Sequence, residues 1–123
     1  MQVRFARHTD ALDACVAFWR DRVGLPELTR FEDHEGYTGV VLAVPGTGAQ
    51  LELTTGGGHD ASTPDPELLV VLYLGDWETV RARAAAIGSE PLAPANPYWD
   101  RHGLTFEDPD GFRVVLAALA WTR

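Results

Sequence analysis

The chain has 123 residues, 46% hydrophobic and 23% charged, which is the balance of one folded domain and not of a disordered segment. Its net charge of −8 would repel phosphates and argues against nucleic acid as a partner. No apolar stretch approaches the roughly 20 residues of a membrane span, the N-terminal "MQVRFARHTDALDAC" carries charge and turn residues too early for a signal peptide, and the single Cys15 cannot form an internal disulfide, so no membrane contact and a cytoplasmic setting are expected.

The first expected strand is residues 2–7, where Val3 and Phe5 alternate with Arg4. Thr9 or Asp10 then offers a helix N-cap. Leu12, Val16, Trp19 and Val23 follow at steps that trace one face of an amphipathic helix, with Cys15 as a small buried hydrophobe within it. Gly24 and Pro26 supply the punctuation that ends a helix. "YTGVVLAV" (residues 37–44) and "AQLELTT" (residues 49–55) read as two strands around a "PGTG" turn. The stretch "GGGHDASTPDP", residues 56–66, has no periodicity and reads as a linker. "LLVVLYL", residues 68–74, is an apolar run of strand length, expected to be buried on both faces. A second helix is expected from about Trp77 to Ile87, with Asp76 as N-cap and Gly88 as its stop. A Pro-rich loop, "EPLAPANPYWDRHG", leads to a closing strand pair around "DPDG".

Each half therefore runs strand, helix, loop and at least two strands. The halves also match in detail. Gly24 and Gly88 lie 64 positions apart (88 − 24), and so do Leu28 and Leu92, Gly39 and Gly103, and Pro45 and Pro109. Glycine and proline answer to backbone geometry more than to packing, so they are what a shared chain path would preserve. "DPDG" is then the second copy of the turn first built as "PGTG".

At this point a resemblance is evident. "ALDACVAFWRDRVGL", with Phe18-Trp19, Arg20-Asp21 and Gly24-Leu25, resembles the first-helix signature of the vicinal oxygen chelate (VOC) superfamily, and "EDPDGFRVVL" resembles its late hairpin. That superfamily includes glyoxalase I, extradiol dioxygenases, and fosfomycin- and bleomycin-resistance proteins. The resemblance implies an α+β fold of two βαβββ modules in tandem, forming a curved, cup-like mixed sheet flanked by helices. One domain over residues 1–123 is expected, with module one at about 1–57, the linker at about 56–66 and module two at about 67–123. It also implies a homodimer.

Catalytic members place up to four metal ligands inside the cup, from the first and last strand of each module. Carried onto this chain, those positions fall on Arg4, Glu52, Leu69 and Val115. A cation and two aliphatic side chains cannot coordinate a divalent metal, so no family-type metal site and no cofactor are expected. Of the histidines, His8 could overlook the cup's mouth and His102 could line a pocket, while His34 and His59 read as surface. No pair has metal-site spacing. Arg4 and Glu52 are expected to face each other, either as a structural ion pair in place of the metal or as a polar anchor for a ligand. Tyr37, Tyr98, Trp99 and Phe106 are expected to rim the cup, and a sheet edge or dimer interface is the alternative for them.

Two functions are implied, and a small structural dimer with no ligand is a third possibility that a cup filled by side chains would favour. The first is a metal-independent small-molecule binding protein of the bleomycin-resistance type, with Arg4, His8, Tyr37, Glu52, Tyr98, Trp99, His102 and Phe106 around the ligand. The second is a glyoxalase- or dioxygenase-like enzyme with a displaced divalent metal, or with Glu52 as a general base. The missing ligands favour the first.

Overall fold

The computed structural model describes residues 1–61 and 63–121; Ser62 of the expected linker and the last two positions of the expected second module lie outside the described residues. The chain divides into two compact units, Met1–Thr63 and Pro64–Arg123. Both combine helices with a mixed sheet, so the α+β class and the strand–helix–strands order expected from the sequence are found.

Unit one comprises β1 (Val3–His8), α1 (Leu12–Val16), a π-helical segment (Ala17–Arg22), β2 (Glu27–His34), β3 (Tyr37–Ala43) and β4 (Ala49–Gly56). Its sheet has the order β1-β4-β3-β2, with β1 parallel to β4 and the other pairs antiparallel. The helix departs from expectation at both ends. Thr9 does not cap it: its Oγ1 accepts from the Ala11 N–H at 2.9 Å, and Ala11 occupies the cap position without a side-chain bond. After Val16 the helix widens, and the Val23 N–H reaches back five residues to the Phe18 carbonyl at 2.9 Å. The wider turn lets sequence neighbours Phe18 and Trp19 both bury, with their rings edge-to-face at 5.3 Å.

The sequence reading missed β2. It lies at the sheet edge with most of its side chains exposed, so Arg30, Glu32 and Asp33 mask its strand character. A two-residue turn joins it to β3, with Glu35 (φ 51°) and Gly36 (φ 86°) both left-handed, the backbone that matches strand twist in tight hairpins.

Unit two comprises β5 (Leu69–Tyr73), α2 (Trp77–Ile87), α3 (Tyr98–His102), β6 (Gly103–Glu107) and β7 (Arg113–Ala117), with sheet order β5-β7-β6 and β5 parallel to β7. Helix α2 starts and stops as read: the Asp76 carboxylate accepts from the Thr79 N–H at 2.7 Å, and Gly88 is left-handed. Strand β5 is not buried on both faces; its residues are half-buried and Tyr73 is exposed, because β7 is its one partner in the sheet. The counterpart of β2 is reduced to one bridge, Leu92 to Thr105, in which the Leu92 N–H donates to the Thr105 carbonyl at 2.8 Å. Further on the chain forms α3, where the sequence pattern predicts only a Pro-rich loop.

The repeat is written into the pairing. Gly39 faces Thr54 across β3 and β4, and Gly103 faces Ala117 across β6 and β7. Both glycines sit where another backbone closes in. A Cβ on Gly39 would lie 2.6 Å from the Phe31 ring and 3.0 Å from the Leu53 carbonyl oxygen, and one on Gly103 would lie 2.6 Å from the Leu116 carbonyl oxygen. The late turn is held by Asp108, whose Oδ1 accepts from the N–H groups of Asp110 (2.9 Å) and Phe112 (3.0 Å), an Asx turn that fixes the hairpin. The earlier turn uses Thr47 instead: its hydroxyl donates to the Val44 carbonyl and accepts from the Ala49 N–H.

Candidate functional site

In unit one the register places Arg4 beside Gln50, Ala6 beside Glu52 and His8 beside Thr54. Side chains alternate across a strand, so Arg4, His8 and Glu52 share one sheet face, together with Tyr37 on β3. The opposite face carries Val40, Leu42, Leu51 and Leu53, all buried, on the side where α1 packs on β4. Sequence reasoning thus gathered four candidates that the fold does bring to one surface.

The Arg4–Glu52 contact is looser than expected. The closest approach is 3.9 Å, with Arg4 about half exposed. The stronger partner of Arg4 is Gln50, whose Oε1 accepts from Arg4 Nε at 2.8 Å. Gln50 was missed; the signal for it was its place two residues before Glu52 on the same face. His8 is drawn toward the loop, 3.3 Å from Asp10. His34 and His59 are exposed, and the His59 ring stacks 6.4 Å from Tyr37.

The charged network of this unit lies elsewhere. Arg20 donates to Asp21 and, at 2.9 Å, to Glu27, and Arg30 donates to Glu27 at 2.9 and 2.7 Å. Hydrogen bonds from Arg30 and then Arg20 hold the Glu27 carboxyl down to about 2. The hydrogen bond from Arg20 likewise lowers Asp21.

In unit two the equivalent face is built differently. Leu69 pairs with Arg113 and Val71 with Val115, the same register as Arg4–Gln50 and Ala6–Glu52. Here Trp99 lies on the sheet, packing against Val115, Ala117, Leu69 and Val71. Helix α3 is tied down at both ends. The Asn96 side-chain oxygen accepts from the Tyr98 N–H at 3.0 Å, and the His102 carbonyl accepts from the Ala118 N–H at 2.7 Å. Its aromatic residues form one group: Tyr98 is 5.0 Å from Trp99, His102 is 4.5 Å from Tyr98, and Tyr73 is 6.4 Å from Trp99. Tyr98, Trp99 and His102 therefore come together. Phe106 does not join them. It pairs with Val114 on the other side of the sheet and is 1% exposed, so it belongs to the core with Val114 and Leu116.

Beside Trp99 is a recess lined by Glu67, Leu69, Asn96, Trp99, Thr105 and Arg113, and bounded by Pro66 and the Pro94–Ala95 loop. Thr105 and Arg113 were not singled out from the sequence. Nothing in their local pattern announces that Thr105 is buried, or that Arg113 opens β7 on the Trp99 face.

The residues do not fit the metal that the superfamily resemblance implies. Unit two offers only aliphatic side chains at Leu69, Val71 and Val115, already covered by Trp99, and unit one offers Glu52 beside a guanidinium. Among the described residues no group of three or more His, Cys, Asp or Glu side chains is placed to hold an ion, and no helix is long and apolar enough to cross a membrane.

The paired modules, their mixed sheets and their repeat define a protein of the VOC fold, a class that solved structures share. It matches glyoxalase I of Leishmania major with TM-score 0.66 at 21% identity, covering 95% of this chain and 85% of that one. It matches TnmS3, an antibiotic binding protein from Streptomyces sp. CB03234, with TM-score 0.63 at 20% identity, covering 95% and 93%. Within that class the chain belongs to the YycE-like family: the YycE-like N-terminal domain matches residues 3–54 and the C-terminal domain residues 67–118. The Bacillus subtilis protein YycE is 35% identical over 119 residues, 94% of this chain and 86% of its own. The crystal structure of a B. subtilis YycE protein of unknown function superposes with TM-score 0.90 at 33% identity, covering 98% of this chain and 91% of that one.

Proposed function

We propose that this chain is a metal-independent small-molecule binding protein, cytoplasmic and homodimeric, that holds its ligand against aromatic side chains. The observation that carries the reading is Trp99. Where a metal-using relative would need imidazole or carboxylate donors, unit two presents Leu69, Val71 and Val115 beneath an indole. Such a surface favours an apolar or planar ligand through burial and ring stacking, while Tyr98 and His102 add a polar rim. That TnmS3, which shares the fold, is an antibiotic binding protein agrees with this. In unit one, Arg4 and Glu52 supply a polar face suited to anchoring a ligand's hydrogen-bonding groups.

The test is to purify the protein without chelators, measure its metal content, and record thermal stability with Ni²⁺, Zn²⁺, Mn²⁺ and Fe²⁺. We expect no stoichiometric metal and no stabilisation, together with saturable quenching of Trp99 fluorescence by members of a planar aromatic panel that is lost in Trp99→Leu. Stabilisation by a metal that disappears in Glu52→Ala would overturn the reading in favour of a displaced metal site.

A further inference from the structure

The recess beside Trp99 is chemically specific. Thr105 is 1% exposed and its hydroxyl has no hydrogen-bond partner among the described residues. Leaving a buried hydroxyl unpaired is unfavourable, and Thr105 is one of the residues that line the recess, so an acceptor that reached its hydroxyl from there would gain a bond that no described residue supplies. Two further donors border the same space. The side-chain oxygen of Asn96 is taken by the Tyr98 N–H, which leaves its NH₂ group to donate. Arg113 spends one long bond, 3.4 Å, on the Ala93 carbonyl, and no other bond of its guanidinium is found among the described residues. A hydroxyl, an amide NH₂ and a guanidinium around one space are the donor set for a carboxylate.

The recess also has an acidic member. Glu67 borders it two residues before Leu69, which pairs with Arg113. Glu67 and Arg113 form no ion pair with each other among the described residues, so each charge can meet an opposite charge on a ligand. An anion alone would be opposed by Glu67 and by the net charge of −8; a cation alone would be opposed by Arg113. Trp99, Leu69 and Pro94 form the apolar wall. The recess has a cavity volume of about 50 Å³, room for roughly four waters and hence for a molecule of about five to eight heavy atoms.

We propose that the recess in unit two binds a small zwitterion of α-amino-acid type, with its carboxylate on Arg113, Thr105 and Asn96, its ammonium toward Glu67 and its short apolar side chain on Trp99. This names a ligand class for the Trp99 face and rests on the small-molecule-binding reading above.

The experiment is a titration of the protein with L-valine, isovalerate and isobutylamine, three probes that share one isopropyl group and differ in their charged groups, followed by amide NMR shifts and calorimetry. Valine should bind most tightly, with shifts centred on Thr105, Trp99 and Arg113; isovalerate should bind more weakly and isobutylamine not measurably. Thr105→Val removes a hydroxyl without changing shape and should fold at least as well as the parent. It and Arg113→Gln should each weaken valine about tenfold, the effect of one charge-assisted hydrogen bond. Glu67→Gln should abolish the preference for valine over isovalerate. Equal binding of valine and the amine, or valine binding unchanged in both Thr105→Val and Arg113→Gln, overturns the proposal. So does an absence of saturable shifts up to the solubility of the probes. If the aromatic panel still binds through Trp99 in that case, only the zwitterion site is lost; if it also fails, the binding-protein reading falls with it.

Discussion

Replacing Trp99 by alanine separates a residue that builds unit two from one that merely lies on it. The side chain is 8% exposed and an indole of this size removes about 200 Å² from water. At about 25 cal/mol per Å² that is a ceiling of about 5 kcal/mol. Helix α3 is held at both ends, by Asn96 and by the His102–Ala118 bond, so it cannot fully collapse into the space, and a cavity would remain over Val115 and Ala117. We therefore expect a loss of about 3 kcal/mol, within the usual range for burying and then deleting a large aromatic. For a chain of this size that is a fall in Tm of about 12 °C. Trp99→Phe keeps most of the contact and should lose less than half as much. Urea unfolding followed by far-UV circular dichroism reads both. A loss under about 1 kcal/mol for Trp99→Ala would show that the indole does not seal the sheet face, and would remove the physical basis for an apolar surface in place of ligand positions.

Four other outcomes follow from the geometry. The Glu27 carboxyl, ordinarily near 4.5, is held down to about 2 by Arg30 and Arg20, so its contribution to stability is complete above about pH 4.5 and is lost as pH falls through about 2; Glu27→Gln should flatten the acid limb of a urea-midpoint titration across that window. Gly103→Ala places a Cβ against the Leu116 carbonyl oxygen, which cannot move without disturbing β7, and should cost about 2 kcal/mol. Gly39→Ala meets chiefly the end of the Phe31 ring and should be partly rescued by Phe31→Ala, as a double-mutant cycle by urea unfolding would read. Finally, Val3 and Phe5 are exposed on the edge strand β1; if a homodimer buries that edge, Phe5→Glu should give a monomer in sedimentation velocity, while in a monomer it should change stability by less than about 0.5 kcal/mol.

Much of the fold was legible because it rests on backbone punctuation. Asp76 and Gly88 bound α2 by a cap bond and a left-handed φ, and the Gly39/Gly103 match located equivalent strand pairs because no side chain fits there. What stayed hidden depends on long-range company. Strand β2 is an edge strand whose charged residues face water, so its pattern resembles a loop. The π-helical widening at Ala17–Arg22 keeps the same apolar residues that an α-helix would use. Helix α3 is short and preceded by prolines, and its role comes from the sheet that Trp99 covers. At the candidate site, the family resemblance directed attention to Arg4 and Glu52, and the register of the sheet puts them with His8 and Tyr37 on one face. The same reasoning could not see that Phe106 lies across the sheet from Trp99, because a one-residue change in strand position reverses the face.

The two units let one register be read twice with different chemistry. At the positions paired as Arg4–Gln50 and Ala6–Glu52, unit one carries three polar side chains, with Arg4 bonded to Gln50 and 3.9 Å from Glu52. At Leu69–Arg113 and Val71–Val115, unit two keeps one cation and otherwise turns apolar. An apolar sheet face exposed to water is unfavourable in proportion to its area, and in unit two the "NPYW" segment covers it: the turn at Asn96 directs the chain across the sheet and Trp99 seals it. The absence of donor side chains on this face and the indole that covers it are thus coupled, since each arrangement is unfavourable without the other. A carboxylate at position 115 would lie buried beneath Trp99 with at most the Thr105 hydroxyl across the β6–β7 pair to bond it, and alanine at position 99 would leave Val115 and Ala117 under-packed. The coupling can be measured. Val115→Glu alone should destabilise unit two by several kcal/mol at neutral pH, and Val115→Glu combined with Trp99→Ala, which opens the site to water, should cost less than the sum of the single changes. Strict additivity of the two would mean that the indole and the aliphatic sheet face are not energetically coupled.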